Sequence, residues 1–207
     1  MVRKIFILGV VSMLLCPFML IGCKDREREA VGLPLELFHD GDLVFRRGTG
    51  LTSRVVLAAD EKGVYSHVGI LKQMDGKWCV IHAVPGEPDY KGDEDRVKME
   101  PIEKFFSKKR ASKGAVMRVE GETKSATKAA ENAFLLFKAG ILFDHEYDLT
   151  DTMKMYCTEL IDHVYKKEGI DLSEGRLSRI NMPLLSGDYL LPNDIAQSQK
   201  LRLIYIF

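Results

Sequence analysis

Residues 65–84 read YSHVGILKQMDGKWCVIHAV. Two apolar, β-branched runs stand in this stretch, His67–Leu71 and Trp78–His82, with Asp75-Gly76 between them. An Asp-Gly pair between such runs is a strong β-hairpin signal, because a tight hairpin turn needs residues that tolerate positive φ. With Asp75-Gly76 as the loop, Met74 faces Lys77. Counting outward, His82 falls opposite Gly69, and His67 opposite Val84. Strand residues alternate between faces, so both histidines point to one side of the sheet, diagonally offset. Such neighbours lie about 7–8 Å apart at the backbone, within reach of aromatic side chains. Gly69 stands between them and has no side chain to separate the rings. A one-residue bulge would turn one ring to the other face.

Upstream, Gly41-Asp42 is a turn signal and Leu43–Phe45 a short strand; a helix is expected over 51–59. Downstream, 96–100 reads as a strand, 102–106 as a short helix and 115–119 as a strand. A helix is predicted over 124–139, with Thr123 as its cap and Gly140 as its stop. Ala126, Ala130, Ala133, Phe134 and Phe137 form its apolar stripe. Another helix is predicted over about 154–168, ending at Gly169. Its one apolar face carries Cys157, Leu160, Ile161, Val164 and Tyr165. Leu201–Ile206 closes the chain as a strand. Strands and helices do not alternate regularly, so the expected class is α+β, a small antiparallel sheet packed against helices.

The first residues belong to a different kind of segment. Arg3 and Lys4 precede an apolar run from Ile5 to Ile21, which ends in Gly22-Cys23. A positive head, an apolar middle and small residues before a cleavage point define an export signal. A cysteine directly after it resembles a bacterial lipobox, with Cys23 as the lipid-modified first residue. An uncleaved anchor is the alternative, since 17 residues approach the length of a membrane span. The expected division is a signal at 1–22, a charged tether at 23–37 and one domain at 38–207. It places the protein in a bacterial cell envelope, lipid-anchored to a membrane.

Lys+Arg and Asp+Glu both number 30. Loss of Arg3 and Lys4 with the signal leaves the domain close to neutral. No basic excess points to nucleic acid. Of four cysteines, Cys16 leaves with the signal and Cys23 is the lipidation candidate. Only Cys79 and Cys157 remain, which argues against a disulfide scaffold, although one bond between them is allowed.

Cys157 stands in the first turn of its predicted helix. Unpaired N–H groups there favour an anion, so the helix start is expected to lower the thiol pKa. The same groups could stabilise an oxyanion on an attacked carbonyl. With His67 as base and His82 orienting it, Cys157 has the parts of a nucleophilic triad. Two bland alternatives compete. A cysteine on an apolar helix face is commonly an inert core residue. The two histidines and Cys157 could also bind zinc, completed by Cys79 or His145, but no pair has the close spacing of a metal site.

Five segments occur in order: GDLVFRRG (41–48), YSHVGI (65–70), VIHAV (80–84), FDHEYD (143–148) and YCTELI (156–161). Together they resemble the YiiX-like permuted papain-fold hydrolases, relatives of NlpC-type cell-wall peptidases and of lecithin–retinol acyltransferase. The resemblance spans about residues 38–206. It implies a circularly permuted papain-like, NlpC-type fold and a hydrolase without a cofactor or metal. It implies Cys157 as nucleophile, His67 as base and His82 as the third polar residue. YiiX-like proteins often carry Glu at the position of His82, whereas NlpC-type and acyltransferase relatives often carry His. Tyr156 and Ser66 are candidates for lining the site or its oxyanion pocket. Asp144 and Asp148 read as turn formers. Arg46, Arg47 and Arg54 are candidates to meet a substrate carboxylate. The expected reaction is cleavage of an amide or ester through an acyl-enzyme. A cell-wall peptide is the leading substrate and a lipid-linked acyl group the alternative. A non-catalytic binding module on the same fold is the competing class.

Overall fold

The structure is a computed structural model that describes residues 32–60, 62–151, 153–182 and 185–207. The signal segment, Cys16, Cys23 and most of the expected tether lie outside the described residues. Six strands form one antiparallel sheet in the order β4-β3-β2-β1-β5-β8. They are β1 (Leu43–Gly48), β2 (His67–Met74), β3 (Lys77–Val84), β4 (Arg96–Pro101), β5 (Ala111–Val119) and β8 (Leu201–Ile206). A separate hairpin joins β6 (Ser178–Met182) and β7 (Leu185–Tyr189). The helices are α1 (Leu51–Ala59), α2 (Ile102–Phe105), α3 (Thr123–Ala139), α4 (Cys157–Lys166) and α5 (Pro192–Ala196).

The α+β class and the antiparallel sheet follow the sequence reading. Asp75 and Gly76 both have positive φ, at 49° and 76°, as the predicted turn requires. Two boundaries differ. Glu122, not Thr123, precedes the first turn of α3, and it makes no side-chain cap. The helix expected from about 154 starts at Cys157. Residues 153–156 are instead extended: Lys154 bridges Leu142, and the Met155 N–H donates to the Leu142 carbonyl. Strands β6 and β7 and helix α5 had no clear sequence signal, because Ser, Asn, Gly and Asp interrupt their apolar residues.

Alternation along the strands builds two cores. Leu43, Phe45, Val68, Ile70, Ile81 and Ala83 pack with residues of α3 and α4 on one face. Val44, Leu71, Val80 and Val116 pack with Phe38, Ile102, Phe105 and Phe106 on the other. On α4, Leu160, Ile161, Val164 and Tyr165 are fully buried, each worth roughly 1.5–3 kcal/mol for an aliphatic side chain. The Tyr165 hydroxyl donates to the Gly41 carbonyl, which ties α4 to the start of β1. Asp42 anchors the same corner, accepting from Arg118 Nε at 2.7 Å and Nη2 at 2.8 Å. These contacts fix the C-terminal end of α4 against the start of β1.

Candidate active site

The predicted register holds from Met74↔Lys77 to Ile70↔Ile81, and pairing between β2 and β3 stops there. His67, Val68 and Gly69 therefore lie beyond the β2–β3 ladder while still paired with β1. The Val68 N–H is among the backbone groups that favour the Cys157 thiolate. The structure thus brings Cys157 to the residue next to His67. Both Cys157 and Cys79 are free thiols, so the disulfide the sequence allowed is not formed.

His67 Nε2 lies 2.8 Å from His82 Nδ1, with the rings near perpendicular at 77°. The two rings share one face, as the hairpin count requires. Gly69 makes this fit: a Cβ there would lie 3.1 Å from His82 Cβ and 2.5 Å from Val80 Cγ1. Phe105 packs against both rings, at 5.8 Å from His67 and 5.3 Å from His82. His67 Nε2 is the nitrogen that meets His82, and Nδ1 is the ring nitrogen outside that contact.

Burial and the nearby positive charges of Arg46 and Arg110, with His82, hold His67 well below the usual imidazole value. Burial also lowers His82, against the opposing pull of Glu100. Both rings are therefore neutral at pH 7. Burial pushes the Cys157 thiol up to about 11, although N–H groups of Val68, Thr158 and Cys157 and the charge of Arg46 pull it down. The expected lowering by the helix start is present but outweighed. Removing a thiolate from water in a narrow, apolar setting disfavours the charge more than three N–H groups favour it. Both shifts favour the neutral forms, thiol and imidazole.

Cys157 opens onto a cleft of about 600 Å³ of empty space, counting its mouth. Ser66, Tyr147, Tyr156 and Thr158 line its inner wall. Val55 and Val56 of α1, Ile180 of β6, and Leu190 and Leu191 before α5 line the rest. Among the described residues, no charged side chain lines it. Ile180, Tyr189, Leu190, Leu191 and Pro192 of this lining come from the segments that the sequence left unassigned.

The other predicted site residues sort as follows. Ser66 lines the cleft, but its hydroxyl is engaged by the Gly48 N–H at 2.9 Å. Tyr156 also lines it, buried and packed edge-on against Tyr147 at 5.3 Å. Its backbone N–H donates to Glu159 at 3.3 Å, which orders the start of α4. Asp144 accepts the N–H groups of Glu146 and Asp148, and Asp148 that of Thr150, so both form turns. Arg46 is not free to meet a substrate. It is buried over Phe105, 4.5 Å from the ring centre, and donates to Glu87 at 2.6 Å. Among the described residues, Arg47 reaches the Val64 carbonyl at 3.5 Å, and neither it nor Arg54 lines the cleft.

The sequence reading missed Glu100. It is buried on β4, with Oε1 3.4 Å from His82 Nε2. Its carboxylate also meets Arg110 at 2.9 Å and Lys104 at 3.2 Å. Burial works against its charge, yet His82, Arg110 and Lys104 together hold it at about 2. Its spacing two residues from Lys98, which pairs with His82, was the available signal.

The fold matches the crystal structure of metalloprotein yiiX from Escherichia coli O157:H7 with a TM-score of 0.64. Sequence identity is 21%, and the match covers 81% of this chain and 96% of that one. That likeness speaks to the fold alone. Among the described residues, no three His, Cys, Asp or Glu side chains are grouped to hold a metal ion. His145, a suggested ligand, is exposed and 3.4 Å from Asp95. No curated protein matches the chain. The family of permuted papain-like amidase enzymes, YaeF/YiiX, matches residues 37–205. The chain belongs to this family of papain-like amidases, the C92 family.

Proposed function

We propose that this amidase works through an acyl-enzyme on Cys157, with His67 as base and His82 as the residue that orients it. The observation that carries the reading is the 2.8 Å contact between His67 Nε2 and His82 Nδ1. It fixes the ring of His67 and leaves Nδ1 for the thiol. Because the resting thiol is neutral, proton transfer accompanies attack. The sulfur bonds to the amide carbonyl carbon as its proton passes to His67 Nδ1. The N–H groups at the start of α4 face the developing oxyanion. Collapse breaks the C–N bond, and His67 returns the proton to the leaving amine. Water then attacks the thioester, giving its proton to His67 and releasing the acid and the thiol.

The cleft favours an apolar group on the acyl side. Val55, Val56, Ile180, Leu190 and Leu191 offer no partner to the charged groups of a cell-wall peptide. A lipid-linked acyl group, the alternative read from the sequence, fits this lining better. It also suits an enzyme tethered to an envelope membrane through Cys23, the location that the first 23 residues support. The cell-wall peptide remains the second reading, favoured by that same export signal.

The test is incubation with N-acyl amides, phospholipids and peptidoglycan fragments, read by mass spectrometry beside Cys157→Ala. An acyl adduct on Cys157 from an apolar donor is the expected result. Turnover of peptidoglycan fragments alone would reverse the substrate order. Turnover of none, with unreactive Cys157, would leave a binding module on this fold.

A further inference from the structure

A neutral imidazole carries one N–H, so each of the two histidines must choose a nitrogen. The choice decides whether His67 can act as a base. If His67 Nε2 holds the proton, Nδ1 presents a lone pair to Cys157. If Nδ1 holds it, His67 offers the thiol a proton instead of a place to put one. The His67–His82 contact alone permits either arrangement.

We infer that Glu100 sets this choice, acting as a positioning residue through His82. The inference rests on the acyl-enzyme reading above and deepens it. His82 Nε2 is buried and has no close hydrogen-bond partner among the described residues. The polar atom facing it is Glu100 Oε1 at 3.4 Å. A lone pair on Nε2 would confront the carboxylate, whereas an N–H is attracted to it. The proton of His82 therefore sits on Nε2, and its Nδ1 accepts. At 2.8 Å from that acceptor, His67 Nε2 must donate. His67 Nδ1 is then the unprotonated nitrogen, ready for the thiol. The chain of choices runs from Glu100 through two rings to Cys157.

The surroundings keep Glu100 charged. Arg110 from the β5 approach and Lys104 of α2 bond its carboxylate, and Arg46 of β1 lies 4.0 Å away. Glu87 shares Arg46 and Arg110 with it. A purely structural role within this ion-pair cluster would also explain burial of Glu100. It would not govern which imidazole nitrogen is protonated, and so the two roles separate experimentally.

The full domain labelled with ¹⁵N-histidine reports ring protonation through its nitrogen shifts. Both rings are expected to carry the proton on Nε2 at pH 7. Glu100→Gln is expected to disturb that assignment and to slow alkylation of Cys157 by iodoacetamide about 10- to 100-fold. Glu100→Ala tests the same contact if the amide of Gln substitutes for the carboxylate. Thermal melts and amide spectra identify any variant that does not fold, and the wild-type shifts decide the tautomer without one. A proton on Nδ1 of either ring in the wild type overturns the inference, as do unchanged tautomers and labelling in both Glu100 variants. His67→Ala separates this from the wider reading. If it too leaves alkylation unchanged, the acyl-enzyme reading fails; if it slows alkylation while the Glu100 variants do not, only the role of Glu100 falls.

Discussion

The Nε2 of His67 and the Nδ1 of His82 are 2.8 Å apart across strands that are no longer paired at that point. The rings, not the backbone, join β2 to β3 at the mouth of the site. The Val68 N–H, beyond the end of the β2–β3 ladder, favours the Cys157 thiolate.

The pH dependence of Cys157 alkylation follows from the two shifted groups. His67 is held well below the usual imidazole value by burial and Arg46. Its base form is therefore full at pH 7 and is lost only on acidification below the ordinary histidine range. The thiol itself ionises near 11. Wild-type labelling should hold a plateau across neutral pH. His67→Ala should lose it, with labelling rising only as pH approaches 11. Rates measured from pH 5 to 11 in both proteins check this, and a common curve would disprove base assistance.

Gly69→Ala should damage site and fold together. The new Cβ would meet Val80 Cγ1 at 2.5 Å and His82 Cβ at 3.1 Å. Overpacking of this kind destabilises by about 1–3 kcal/mol. A lower denaturation midpoint and slower Cys157 labelling in the folded fraction are both expected. An unchanged labelling rate would mean that the rings do not need this gap.

Glu159→Gln should stabilise the protein above neutral pH. Burial lifts the Glu159 carboxyl to about 8, aided by Asp144, Asp151 and Asp148 and opposed by the Tyr156 N–H. The folded value lies above the unfolded value of about 4.3, so the folded state holds the proton more tightly. Its contribution is fully present below the unfolded value and fades as pH rises towards 8. The amide avoids that loss while still accepting from Tyr156. The gain at pH 8 should be about 1–2 kcal/mol after solvent screening and vanish near pH 4. Melting curves at the two pH values decide it.

Asp42→Ala should destabilise without touching the chemistry. Asp42 is 1% exposed and holds Arg118 in a two-point ion pair. Removing one partner of such a pair costs about 3–5 kcal/mol. Urea unfolding should show the loss, while Cys157 labelling in the remaining folded protein stays at the wild-type rate. Equal loss in both would tie the corner of β1 to the site.

Much of this was legible from residues alone. The Asp-Gly turn dictated the register, and register dictated that two histidines fifteen positions apart share a face. The apolar face of α4 announced its burial, and five ordered motifs pointed to the family. Hairpin geometry and helical periodicity are local, so a short window of sequence contains them. What the sequence left out depends on distant chain segments meeting. The start of α4 moved to Cys157 because residues 153–156 extend beside Leu142. Glu100 became the partner of His82 only when β4 joined β3. Arg46, a candidate to meet a substrate carboxylate, was drawn against Phe105. The thiol pKa went up because burial, a property of the whole fold, outweighed the helix start, a property of one segment. Local stereochemistry determined which side chains could meet; tertiary packing decided how much water they would keep, and hence their charge.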